Sequence, residues 1–150
     1  MKYFEDFRVG ETDELGSYTM TEAEIVAFAR KYDPQPFHVD PQAARGSIFG
    51  GLIASGWHTC AILMRLSVEA ARREHSAATG SPGVDSCRWL KPVRPGDTLS
   101  GRTEVLDTQP SRTKPFGFVR RRVEMLNQRG DVVLSIVGIS MYRRRPEPDR

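Results

Sequence analysis

Asp33 and His38 stand five residues apart in the run Tyr32-Asp33-Pro34-Gln35-Pro36-Phe37-His38. Pro34 and Pro36 each fix backbone φ near about −65°, which holds the two side chains in a set relation. A carboxylate and a neutral imidazole so held can share one water. One group removes its proton, and the other orients it or returns a proton to the product. Downstream, Phe49-Gly50-Gly51 precedes an apolar run. If a helix starts there, the bare N–H groups of Gly50 and Gly51 make them candidates for an oxyanion site at its positive end. Ser55, His58 and Thr59 follow. Ser55 shares a helical face with His58 at i+3 and with Thr59 at i+4. Ser55 and His58 are therefore candidate substrate-binding residues, although a buried helix histidine is more often a hydrogen-bonded structural group. Trp57 reads as core. Other chemistries lack their patterns. Asp33, His38 and His58 show no metal-ligand spacing, so no metal is expected. There is no GxSxG elbow, and neither cysteine neighbours a base in sequence. No Rossmann or Walker phosphate loop is present, and no cofactor is expected.

The elements that position these residues follow from periodicity. Glu14 to Met20 suits a short strand. Thr21 and Glu24 form a capping box, and Ile25, Phe28, Ala29 and Tyr32 fall at helical spacing, so residues 21–32 read as an amphipathic helix. Pro34 disfavours the α region for Asp33, which therefore sits at the helix end. Residues 33–50 read as a loop with one helical turn, capped by Asp40-Pro41 and ended by Gly46. A long helix is expected from near Gly51 to about Arg73. Its first part is apolar nearly all round, which implies burial on most sides. Residues 76–83 are rich in Ser, Ala, Gly and Pro and read as a loop. Val84–Val93, Thr98–Asp107, Phe116–Asn127 and Asp131–Tyr142 are strand candidates, joined by short turns that imply antiparallel pairing. The fold class is α+β: a long central helix wrapped by an antiparallel β-sheet.

The chain has 150 residues, enough for one domain with a sizeable core, and 143–150 read as a tail. Its 27% charged and 39% hydrophobic residues suit a soluble globular protein. The net charge of +3 gathers partly in Arg120-Arg121-Arg122 and Arg143-Arg144-Arg145. Solvated surface explains it better than nucleic-acid binding, and a mildly positive surface also suits an anionic, nucleotide-bearing thioester. Cys60 and Cys87 fit reduced core cysteines in a cytoplasmic protein. No apolar stretch is long enough for a membrane span, and no signal peptide opens the chain.

Three blocks carry a family resemblance. They are Asp33-Pro-Gln-Pro-Phe-His38-Val-Asp40, Phe49-Gly-Gly-Leu-Ile-Ala-Ser55-Gly-Trp-His-Thr59, and Arg88-Trp-Leu-Lys-Pro-Val-Arg-Pro-Gly-Asp-Thr98. Together they closely resemble the MaoC-like dehydratases, the (R)-specific enoyl-CoA hydratase family, from about Val9 to Tyr142. The resemblance implies a hot-dog fold and a homodimer or higher homo-oligomer. It implies an acyl-CoA hydro-lyase, acting on a 2-enoyl thioester or, in reverse, a 3-hydroxyacyl thioester. CoA is then part of the substrate and not a cofactor. Asp33 and His38 match the water-activating pair, and Gly50, with Gly51 adjacent, matches the glycine whose N–H meets the thioester oxygen. Two positions depart from the family pattern. Gln35 stands where the motif has Asn, and His58 with Thr59 stands where some hydratases carry a serine. A hot-dog thioesterase and a non-catalytic acyl-CoA-binding subunit are the alternative readings. Arg88, Lys91, Arg94, Arg112 and Lys114 are the basic residues nearest strand ends and turns.

Overall fold

The computed structural model describes residues 1–147. The capping box forms as expected: Thr21 Oγ1 accepts the Glu24 N–H at 3.2 Å and starts α1, Glu22–Tyr32. Asp33 caps its C-terminus, donating its N–H to Ala29 O. The loop expected next holds two turns rather than one. Pro36 opens α2, Pro36–Val39, which carries His38. Asp40 then caps α3, Pro41–Arg45, with Pro41 first in the helix and Gly46 at its end.

Five strands form one antiparallel sheet in the order β1-β3-β4-β5-β2. They are β1 Thr12–Thr19, β2 Ala78–Trp89, β3 Thr98–Pro110, β4 Phe116–Leu126 and β5 Val132–Arg143. β2 reaches back to Ala78, through the segment expected to be loop. Its register against β5 shifts around Gly80 and Gly83. The small residues permit these irregularities, and pairing with β5 overrides their weak strand propensity.

The long helix, α4, runs Gly56–Arg73 and so begins five residues later than the expected Gly51. Residues 51–55 are extended because their backbone groups are used elsewhere. Ile53 N–H bonds Phe37 O at 3.1 Å, and Ala54 N–H bonds Val93 O at 2.8 Å. A helix through 51–55 would have to break both bonds. From Gly56 on, His58, Thr59, Ile62, Leu63, Leu66 and Ala70 are buried, the i, i+4 rhythm of one face. That face meets Leu15, Leu99, Met125 and Leu134 of the sheet in the main core. The opposite face is open, in contrast to the expected burial on most sides: Trp57 and Met64 are each 62% exposed. Trp57 is thus not core. The apolar residues of α4 divide between a sheet-facing stripe and an uncovered one.

Arg120 and Arg122 pair with Asp85 (2.7 Å) and Glu104 (2.9 Å), so two of these three basic residues are neutralised within the fold. Of the segment expected as a tail, Arg143 closes β5, while Arg144 and Arg145 pair with Glu5 and Asp6. Residues 148–150 lie outside the described residues. Among the described residues, no helix is long and apolar enough to cross a membrane. The architecture is the α+β hot-dog arrangement that the resemblance implied.

Candidate active site

The proline-flanked run brings Asp33 and His38 together. Gln35 N–H bonds Asp33 O at 2.8 Å, and His38 N–H bonds Gln35 O at 2.9 Å. These two tight bonds fold the loop so that His38 Nε2 stands 3.3 Å from Asp33 Oδ2. The Gln35 side chain is exposed and makes no cap bond. Its backbone, through these two bonds, sets the geometry of the pair.

His38 is buried, and its Nδ1 lies 2.7 Å from the carbonyl of Ile53. A carbonyl only accepts, so Nδ1 carries the proton and Nε2 of the neutral ring is the free base. The Asp33 side chain keeps 25% exposure. On its far side, the wholly buried Ser55 donates its hydroxyl to Asp33 Oδ2 at 2.7 Å.

Asp33 and His38 face a cleft of about 490 Å³ walled by Phe37, Phe49, Trp57, Thr59 and Trp89. Gly56, the first residue of α4, also lines it. The first N–H groups of a helix have no partner within it. Among the described residues, no acceptor pairs with the N–H of Gly56 or Trp57. His58 N–H and Thr59 N–H, by contrast, both bond Ser55 O. The free backbone donors and the helix's positive end therefore sit at Gly56 and Trp57.

The two glycines expected at the helix start lie elsewhere. Gly50 has φ of +68°, and its N–H is taken by Ser47 O at 3.1 Å. Gly50 and Gly51 precede the extended stretch that leads to α4, and neither lines the cleft. Gly56 is needed for close packing. A Cβ there would lie 2.7 Å from Trp89 Cδ1. Sequence reasoning missed Gly56, although Ser55 is a strong N-cap type standing directly before a glycine that interrupts the apolar run. It also missed Trp89, whose ring meets that of Trp57 edge-on at 5.0 Å. Nothing in its strand setting marked it as a cleft wall.

His58 is likewise placed away from the cleft. It does not line the cleft but stacks in parallel on Phe28 of α1, with ring centroids 4.6 Å apart. Its Nδ1 has no hydrogen-bond partner among the described residues. Burial holds its pKa below the ordinary histidine range, against the opposing pull of the Glu24 carboxylate. Thr59, beside it, takes the place on the cleft. Ser55 stands behind Asp33, not on the cleft wall. The cysteines are free, with sulfurs 3.8 Å apart, and burial pushes the Cys60 thiol up to about 12. Of the basic residues considered, Lys91 lines the cleft and pairs with Asp131 at 3.2 Å. Arg94 donates to Phe49 O at 2.6 Å.

A hot-dog domain with a carboxylate–imidazole pair beside the start of its long helix is the class that fold and geometry define. Within that class the chain belongs to the MaoC-like domain family, whose model matches residues 7–125. The MaoC-like dehydratase from Rhodospirillum rubrum superposes with a TM-score of 0.88 at 40% identity, over 98% of this chain and 100% of that one. The uncharacterized protein YdeM of Bacillus subtilis is 33% identical over 125 residues, 83% of this chain and 87% of its own length. Mesaconyl-CoA hydratase of Cereibacter sphaeroides is 41% identical over 68 residues, 45% of this chain. The chain spans only 20% of that larger protein.

Proposed function

We propose that this chain adds water across the double bond of a 2-enoyl-CoA, and removes it from the 3-hydroxyacyl-CoA in the reverse direction. The observation that carries this reading is Asp33 Oδ2 and His38 Nε2 at 3.3 Å, on the cleft that also meets the free N–H groups opening α4. A water held between the two groups loses a proton to one of them as its oxygen attacks the β-carbon. The group that takes this proton then delivers it to the α-carbon, so the H and the OH of one water both end on the product and the pair returns to its starting state. Between these events negative charge gathers on the thioester oxygen, where the N–H groups of Gly56 and Trp57 would receive it. No metal or cofactor enters this scheme. Hydration of a CoA thioester is also the activity named for the mesaconyl-CoA hydratase relative. A homodimer and a cytoplasmic setting, both expected from the sequence, go with this reading.

The test is a panel of 2-enoyl-CoAs of differing chain length. Loss of the conjugated thioester's ultraviolet absorbance is followed in parallel with thiol release. Hydration without thiol release is expected. Thiol release as the main reaction would make the chain a thioesterase. Tight binding without turnover across the panel would make it a binding subunit.

A further inference from the structure

Three helices of this chain have Thr, Asp or Ser at the N-cap, and one of those three residues does not cap. Thr21 accepts the Glu24 N–H at the start of α1. Asp40 accepts the N–H groups of Gln42 and Ala43, at 2.9 and 3.3 Å, at the start of α3. Ser55 holds the same position on α4, and serine is among the best residues for it. Yet its side chain makes no cap bond. Its hydroxyl instead donates 2.7 Å across to Asp33 Oδ2, 22 residues away in sequence.

The diversion has two consequences at one place. Asp33 is the half-in residue that ends α1, and among the described residues its side chain is otherwise tied only to His38. A hydroxyl arriving from a wholly buried residue on another element fixes which oxygen faces the imidazole. Meanwhile, among the described residues, no cap bond or backbone acceptor takes the N–H of Trp57, so the first donors of α4 stay open toward the cleft. A capping serine would have closed one of them or its neighbour.

We propose that Ser55 is a positioning residue that couples the two halves of the site. Its hydroxyl aims the Asp33 carboxylate at His38, and by leaving its own helix uncapped it keeps the backbone donors free. It touches no reacting atom. The inference rests on the hydration chemistry proposed above.

The test is Ser55→Ala and Ser55→Thr, each characterised by kcat, KM, thermal midpoint and a crystal structure. In Ser55→Ala the Asp33 carboxylate should rotate away from its present contact with His38 Nε2. The kcat for enoyl-CoA hydration should fall by up to about 100-fold, the scale of a misplaced reacting group. KM should stay within about threefold, because uniform binding is untouched. Ser55→Thr, which keeps the hydroxyl, should recover most of kcat. Wild-type kcat in Ser55→Ala, or an equal loss in a folded Ser55→Thr, would overturn the proposal while leaving hydration standing. If Ser55→Ala fails to fold, the threonine variant decides by the same criterion. If the wild type hydrates no enoyl-CoA, the functional reading falls. The crystal structure still decides the positioning role, which is overturned by an unmoved Asp33.

Discussion

The arrangement of Asp33 and His38 rests on hydrogen bonds that reach them from other elements. His38 gives its Nδ1 proton to Ile53 O, which leaves Nε2 as the base, and Asp33 Oδ2 accepts from Ser55 while facing that base. His58, a residue with the same chemistry, is set apart by burial against Phe28. Its lowered pKa has a consequence for stability. The folded chain takes up this proton at lower pH than the unfolded chain. His58 thus contributes stability that is fully present above the unfolded value, about 6.5, and is lost as pH falls below it toward the folded value. Unfolding midpoints of the wild type should therefore decline faster between neutral and mildly acidic pH than those of His58→Leu. Parallel curves for the two proteins would show that His58 is not the group responsible.

Among the elements, the start of α4 decides the layout of the site. Gly56 lets the helix start pass against Trp89, where a Cβ would sit 2.7 Å from Cδ1. Gly56→Ala should force the indole or the helix start to move, at an overpacking cost of about 1–3 kcal/mol. Denaturant unfolding and tryptophan emission together read this. Unchanged stability with unchanged emission would mean the contact is slack. The same region shows what the sequence could and could not disclose. The capping box at Thr21, the end of α1 before Pro34 and the Asp40-Pro41 start of α3 were legible, because each is set by neighbours in the chain. Asp33 and His38 were legible for the same reason. The true start of α4 was not, since residues 51–55 are held extended by Phe37 and Val93, distant partners that periodicity does not see. The free helix-start N–H groups expected near Gly50 and Gly51 therefore lie at Gly56 and Trp57. The early start of β2 was hidden likewise, by a pairing with β5 that its Gly and Pro content disguises.

At the scale of the whole molecule, the fold is a helix on one face of a five-stranded sheet, with an apolar surface left uncovered. β2 is an edge strand, and Val84, Trp89 and Leu90 on or beside it are exposed along with Trp57 and Met64 of α4. An exposed edge with apolar neighbours is a surface suited to a second copy of the chain. Sedimentation equilibrium should give a mass near twice 16.9 kDa, and Val84→Arg should shift it toward the single-chain value. A wild-type mass of one chain at micromolar concentration would remove the dimer from the proposal. The central claim, that Asp33 and His38 perform the chemistry of this molecule, has its most direct measurement in the kcat for enoyl-CoA hydration of Asp33→Asn and His38→Ala. Both variants should fold as the wild type does and should turn over about 10²–10⁴-fold more slowly, the usual contribution of a general acid or base. Wild-type turnover in either folded variant would contradict it.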